Sequence, residues 1–500
     1  MKVRFAPSPT GTLHIGGVRT ALFNYLLAKQ NKGVFVLRIE DTDTERSKKE
    51  YEQVIFDGLK WSGIEWDEGP DRGEGYRQSE RTEIYEKYTR ELIEKDKAYY
   101  CFCTKEELEA QKQYLASIGK PSTYSGKCRK LDKEIIEKNL KEKKPFVVRL
   151  KTPIKKVCFK DMLRGEICSE TEIFGDFVIA KDFKEPLYNL ACVIDDHEMK
   201  ITHVIRGEDH ISNTPRQILI YEALEKSIPE FLHLPLILGI DKRKMSKRDG
   251  SVSIKEYEEK GYLPEALINF LALLGWNPKH NQEIFSMEDL IKEFSIEHIQ
   301  KSGAIFNLKK LNWINGHYIR QMDLSRLTEL CIPYLVKKGL LEPLWGQNDV
   351  ITGALRGNFT VLDYKLETGE KVDFSYLKKA VKPYQERLKY LSEIPELIDF
   401  LLKDIDYEKD LLKWKDMEDK EIKKSLKEAE KTLSKLKNWT EEDITKELME
   451  KADEKDRGKL LWPLRIALSG KKSSASPFEI AFVLGKEKTL KRIEKARDKL

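Results

Sequence analysis

The chain of 500 residues has little of what marks a membrane or secreted protein. Its longest apolar run, Ala266 to Trp276, is broken by Asn269 and is too short for the ~20 apolar residues that span a bilayer. Cysteine is scarce. The seven present are an odd number in a long chain, which argues against a disulfide-stapled secreted fold. No apolar signal core opens the sequence, and the first helical stretch carries Arg19, Asn24 and Lys29. These absences predict a soluble cytoplasmic protein with no membrane partner. A dominant charge sign is lacking too, with 90 Lys and Arg against 85 Asp and Glu. A net charge of +5 leaves any polyanion partner to meet local patches rather than a global field. No repeat of fixed period and no low-complexity linker interrupts the chain.

What is present begins with hydrophobic residues at 40%, enough for globular folding, and charged residues at 35%, the composition of solvated helices. Five hundred residues exceed one core and predict two to four domains. The opening stretch from Val3 to Gly17 holds a short alternating strand, a turn through Pro7, Pro9 and Gly11, then His14, Gly16 and Gly17 at a helix start. Strand, turn and helix N-terminus together make an anion site, because free N–H groups and the helix dipole face the ligand. An ordinary βα turn has the same outline, so the stretch needs a partner elsewhere in the chain.

Residues 18–30 show helical spacing closed by Gly33, and Val34 to Ile39 reads as a buried parallel strand. Glu40, Asp41 and Asp43 follow at its C-terminal end, where open α/β sheets place their sites. Ser47 to Glu50 reads as a capping box for a helix bearing Tyr51, Val54, Ile55 and Leu59. This βαβα opening is a doubly wound start. From about residue 96 an α+β module is inserted. Strands resume at Phe177–Ala180, Ala191–His197, Ile201–Arg206 and Leu234–Ile240, with a helix through Arg216 and Leu224. Beyond residue 320 only helical periodicity is visible.

The second unusual stretch is Arg243-Lys244-Met245-Ser246-Lys247-Arg248, four cations, counting Arg243, around one hydroxyl residue. Lysines act as mobile point charges on phosphates. A solvated basic loop is the ordinary alternative. Paired with the His14 helix start, the stretch would clamp a nucleotide triphosphate from both ends.

Pro7-Ser8-Pro9-Thr10-Gly11, His14-Ile15-Gly16-Gly17 and Lys244-Met245-Ser246-Lys247-Arg248 resemble the two signatures of the class I aminoacyl-tRNA synthetases. Arg38 to Asp43, Asp67 to Asp71, Tyr76 to Arg81 and Arg206 to Asp209 resemble the bacterial glutamyl-tRNA synthetase family in particular. Gly17 stands where a second histidine is frequent in the superfamily, leaving His14 as the histidine of that motif. The resemblance implies a Rossmann-like doubly wound parallel sheet with an inserted α+β module, followed by all-α C-terminal domains. Its divisions are residues 1–95 and 188–252 for the two halves of the catalytic domain and 96–187 for an acceptor-end module. Residues 253–320 make a helical stem-contact domain and 321–500 an anticodon-binding region.

By the same resemblance, the partners are L-glutamate, ATP with Mg²⁺ and tRNA-Glu, and the enzyme is a monomer. His14, Lys244 and Lys247 are catalytic, and His14, Gly16, Gly17, Ser246 and Lys247 hold ATP. Arg4, Ala6, Ser8, Glu40, Tyr188 and Arg206 form the glutamate pocket, Arg4 and Tyr188 on the side-chain carboxylate, Glu40 on the ammonium and Arg206 on the α-carboxylate. Arg387 and Arg465 fall where relatives meet anticodon bases, and an arginine at 387 goes with refusal of tRNA-Gln; an enzyme charging both tRNAs is the alternative. Cys101, Cys103, Tyr124 and Cys128 repeat the spacing of a zinc knob, with Lys130 where relatives place a histidine. Three reduced cysteines packing a small module would have the same spacing. Cys158, Cys168, Cys192 and Cys331 lack ligand spacing and are expected in the core. A truncated paralogue or a small-molecule nucleotidyltransferase would not need the helical half, and an inert tRNA-binding protein would not need the signature residues.

Overall fold

A computed structural model describes residues 1–43, 45–119, 123–243, 245, 253–344 and 364–500. They form two compact units, Met1–Glu258 with Pro264–Leu311, and Glu259–Leu263 with Asn312–Leu500. In the first, β1 (Lys2–Phe5) leads through the proline turn into α1 (Ile15–Gln30), and β2 (Val34–Leu37) returns parallel to β1, Lys2 opposite Val34 and Phe5 opposite Leu37. A parallel pair linked by a helix is buried on both faces, so its strands are apolar throughout. Val3, Phe35, Val36 and Leu37 are fully buried accordingly.

Helices α2 (Lys49–Trp61) and α3 (Thr82–Glu94) follow. The Ser47 capping box is not formed. Lys48 takes the N-cap position with no side-chain cap, one residue past the expected start, and leaves the Ser47 hydroxyl without a hydrogen bond. The inserted region then supplies β3 (Ala98–Cys101), α4 (Lys105–Ser117), α5 (Lys133–Lys141) and β4 (Val147–Leu150), and β4 pairs antiparallel with both β3 and β7 (Val178–Ala180). Between them, β5 (Lys156–Asp161) and β6 (Gly165–Glu170) form a hairpin. Cys158 and Cys168 stand opposite each other in it and are joined as a disulfide rather than packed in the core. The two-residue period of β5 turns Val157, Phe159 and Asp161 inward and Cys158 outward. Cys192 and Cys331 are buried thiols, as expected.

The segment Ala191–His197, expected as a strand, is the body of helix α6 (Tyr188–Glu198). A short apolar run fits a buried helix as well as a strand, and here Leu190, Ala191, Val193 and Ile194 are buried around a helix. After it, β8 (His203–Gly207) and β9 (Glu230–Leu234), connected through α7 (Thr214–Ala223), pair in parallel with Arg206 opposite His233, and β9 meets β5 in parallel at Phe231 and Asp161. The Thr202 N–H donates to the Lys2 carbonyl at 2.9 Å, bringing the start of β8 alongside β1. Pro235 ends the strand expected over 234–240, which resumes only as β10 (Ile237–Leu238).

The second unit is built of helices, among them Leu324–Lys337, Asp419–Ser434, Gly458–Ser469 and Pro477–Asp498. It also holds a small antiparallel sheet of Leu341–Pro343, Tyr364–Leu366 and Lys371–Val372, too short to register against the helical periodicity. Among the described residues no helix is long and apolar enough to cross a membrane.

Candidate active site

His14 is the N-cap of α1, and its Nδ1 accepts the Gly17 N–H at 3.1 Å. A neutral imidazole accepting through Nδ1 carries its proton on Nε2, so the ring is a donor at the helix start. Glycine at residue 16 leaves room for the folded-back ring. A Cβ there would lie 3.0 Å from Nδ1 and 3.1 Å from Cε1. The Gly17 N–H is thereby spent on the cap, and the helix dipole still favours an anion at this end of α1.

These residues border a cavity of about 530 Å³. Arg4, Ala6, Ser8, Glu40, Tyr188 and Arg206, on β1, the proline turn, the end of β2, α6 and β8, line the same cavity as His14, Gly16 and Gly17. Lys244, Ser246 and Lys247 lie outside the described residues; Met245, between them in sequence, lines the cavity as well.

Behind the wall lies an ion network. Arg4 Nε donates to Asp196 Oδ1 at 3.0 Å and its Nη2 to Oδ2 at 3.3 Å, while Arg38 Nη1 reaches the same Oδ1 at 2.7 Å and Nη2 reaches Glu40 Oε1 at 3.2 Å. Asp195 accepts from Arg81 Nε at 2.7 Å, Gln78 Nε2 at 2.8 Å and the Tyr85 hydroxyl at 3.0 Å. Three guanidiniums thus face three carboxylates, all buried. Burial alone would raise the Asp196 carboxyl, but Arg4 and Arg38 overcome it and hold it at about 2. Burial prevails at Glu40, which sits above the usual carboxylate range despite Arg38 and Arg4.

Arg206 is different. Its Nε donates to His233 Nε2 at 3.2 Å, and its Nη2 to Thr214 Oγ1 at 2.9 Å and Gln217 Oε1 at 2.8 Å; Nη1 lies 3.4 Å from the Tyr188 hydroxyl. Every one of these partners is neutral. The Tyr188 hydroxyl also meets His210 Nδ1 at 3.0 Å. Burial, then the Arg206 charge, lowers His210 to about 4, which keeps its ring neutral at pH 7. A cavity-wall guanidinium with no carboxylate among its hydrogen-bond partners favours an anionic ligand at that point of the wall.

Asp196, Arg38, His210 and His233 were not anticipated as site residues. Tyr188, Cys192 and Asp196 recur every fourth residue, the spacing of one helical face, and that signal was available once the segment was read as a helix. His233 lies in an apolar run and carries no local signal.

Apart from the cavity, the Sγ atoms of Cys101, Cys103 and Cys128 lie within 4.8 Å of one another. The Tyr124 hydroxyl stands 3.4 Å from Cys101 Sγ and 3.3 Å from Cys103 Sγ and accepts the Cys128 N–H at 3.0 Å. Hydrogen bonding from the Cys128 thiol pulls Cys101 down to about 4, toward the thiolate that binds metal. Lys130 is exposed. In the second unit, Arg387 Nη1 donates to the Ser474 carbonyl at 2.9 Å, and Arg465 is half-buried on the helix Gly458–Ser469.

Residues 1–313 match the catalytic domain of the class I tRNA synthetases (E and Q), and residues 326–497 match an anticodon binding domain. The glutamate–tRNA ligase 2 of Thermoanaerobacter pseudethanolicus is 44% identical over 100% of this chain and 98% of its own. The glutamate–tRNA ligase of Carboxydothermus hydrogenoformans is 46% identical, over 99% of each. Among solved structures, a glutamate tRNA ligase from Elizabethkingia meningosepticum in complex with its amino acid is 34% identical, with a TM-score of 0.85 over 100% of this chain and 99% of that one. With a catalytic domain and an anticodon binding domain together matching most of its length, the chain belongs to the class I tRNA synthetases of the glutamate and glutamine group.

Proposed function

We propose that the chain is a glutamate–tRNA ligase that activates L-glutamate with ATP and transfers it to the 3′ end of tRNA-Glu. The observation that carries the substrate is Arg206, a buried cavity-wall guanidinium held by neutral groups. Glutamate supplies the missing anion. We assign Arg206 to the side-chain carboxylate rather than to the α-carboxylate that the resemblance implies. At that side chain glutamine brings no charge and turns an NH₂ donor toward other donors, forfeiting about 1.5–3 kcal/mol per charged hydrogen bond. The two arginines are not equivalent, because Asp196 already compensates Arg4.

In the first step a glutamate α-carboxylate oxygen attacks the α-phosphorus of ATP and pyrophosphate leaves. In the second, a terminal ribose hydroxyl of the tRNA attacks the adenylate carbonyl and AMP leaves. Mg²⁺ enters on the ATP phosphates as part of the substrate. His14 and the α1 N-terminus are assigned to hold the nucleotide, Lys244 and Lys247 by motif to the charge that develops on pyrophosphate, and Glu40 to the ammonium. The protein's contribution is positioning and electrostatics rather than covalent chemistry.

The Cys101, Cys103, Tyr124 and Cys128 donors fit a tetrahedral structural zinc within the module assigned to the acceptor end. Arg387, with one nitrogen fixed on Ser474, and Arg465 are assigned to anticodon recognition. A monomer acting in the cytoplasm completes the reading.

The deciding experiment is pyrophosphate exchange with glutamate and with glutamine, with and without tRNA, followed by acylation of purified tRNA-Glu and tRNA-Gln. Glutamate-dependent exchange and charging of tRNA-Glu alone are expected. Absence of exchange with glutamate in the presence of tRNA-Glu, or preference for glutamine, overturns the assignment.

A further inference from the structure

The groups that hold Arg206 form a chain leading away from the cavity. His233 is fully buried and accepts the Arg206 Nε–H through Nε2. A neutral ring accepting at Nε2 must carry its proton on Nδ1, and Nδ1 lies 2.7 Å from Asp161 Oδ2. Asp161 is itself immobilised. Its Oδ1 accepts the Leu163 and Arg164 N–H groups at 2.9 and 2.8 Å, and its Oδ2 also accepts the His233 N–H at 3.0 Å.

We propose that Asp161 and His233 are positioning residues that fix Arg206 as an uncompensated cation for a substrate carboxylate, an inference that rests on the pocket assignment above. A carboxylate placed directly on Arg206 would orient it equally well but neutralise it. Interposing an imidazole passes on the orientation while keeping the anion one ring away. The tautomer is the critical element. If the proton moved to Nε2, a donor would face the Arg206 N–H and the guanidinium would lose its anchor. With Nε and Nη2 committed to His233, Thr214 and Gln217, the Nη1 hydrogens are the ones left for Tyr188 and the cavity. Neither Asp161 nor His233 lines that cavity, so both act through Arg206.

The test uses the full chain in tRNA-dependent pyrophosphate exchange, reading KM for glutamate and for ATP separately. Asp161→Asn offers an amide that can donate to Nδ1 and release the tautomer; His233→Phe deletes the acceptor; His233→Gln keeps an amide oxygen that can reach the Nε2 position. The first two should raise the glutamate KM about 10- to 100-fold, the loss expected for a charged hydrogen bond, with the ATP KM within about threefold of wild type. His233→Gln should recover most of the difference. Equal movement of both KM values, a fall in kcat alone, or identical behaviour of the Gln and Phe variants overturns the proposal. Nitrogen-15 NMR of the wild-type histidines supplies a check that needs no variant to fold: His233 must be the Nδ1–H tautomer, and an Nε2–H tautomer refutes it. Wild type lacking glutamate-dependent exchange would instead remove the pocket assignment, whereas an active wild type with unmoved variants removes only this inference.

Discussion

Replacing Asp196 by Asn tests the ion network most directly. The change keeps shape and volume but removes the one carboxylate that Arg4 and Arg38 share. Both guanidiniums are buried, so neither can recover its hydration without opening the core. Breaking a buried ion pair from one side costs about 3–5 kcal/mol. For the roughly 300 residues of the first unit, an unfolding entropy of about 2.1 cal/mol/K per residue converts that into a fall in Tm of about 5–8 °C. The pH dependence gives an independent estimate. The folded carboxyl, at about 2 against an ordinary 3.8, adds stability that is present above pH 4 and lost as pH falls toward 2. That difference corresponds to roughly 2–3 kcal/mol, the same order. Calorimetry of wild type and Asp196→Asn at pH 7, with urea melts from pH 5 to 2, reads both quantities. The variant should be less stable at pH 7 and should lack that acid limb. A Tm within about 1 °C of wild type, with the acid limb intact, would refute the claim that Asp196 compensates Arg4 and Arg38.

Gly16→Ala should separate binding from stability. The new Cβ at 3.0 Å displaces the His14 ring, yet the gain in helix propensity of up to about 1 kcal/mol offsets the lost cap, so Tm stays nearly constant while the ATP KM rises. An unchanged ATP KM would show that the folded-back ring is immaterial to nucleotide binding. Purified protein should carry one zinc per chain by elemental analysis, and Cys128→Ser should release it and lower the thermal stability; metal-free protein of undiminished stability would argue for reduced cysteines. His210 is lowered from an ordinary 6.5 to about 4, so its stabilising contribution is present above pH 6.5 and disappears as pH falls through 4. Replacing it with Gln should flatten the stability profile in that window, and an unaltered slope would assign the titration to another group.

The cavity wall was largely legible in the sequence because its residues sit in two short local motifs and at strand ends, where βα architecture places them. The ion network was not. Arg4 and Asp196 are separated by 192 positions and Arg38 and Asp196 by 158, and no local pattern announces such a pairing. Helix α6 was hidden for another reason. Leu190 to Ile194 is apolar on every side, and a helix buried all round has no amphipathic stripe to distinguish it from a central strand. The Cys158–Cys168 bridge depends on the register of a hairpin, which a spacing rule for metal ligands cannot see.

The separation of Arg4 from Asp196 has a consequence for biosynthesis. Translation at about 5–20 residues per second delivers the aspartate some 10–40 s after the arginine, since it lies 192 positions further on. During that interval the β1–β2 pair has its apolar partners from α1, but Arg4 lacks its counterion and Arg38 has only Glu40 of its carboxylate partners, and desolvating Arg4 then would be unfavourable by several kcal/mol. The first strands to leave the ribosome must therefore remain wet until α6 arrives. The cavity, although lined in large part by the first forty residues, is among the later parts of the catalytic unit to close.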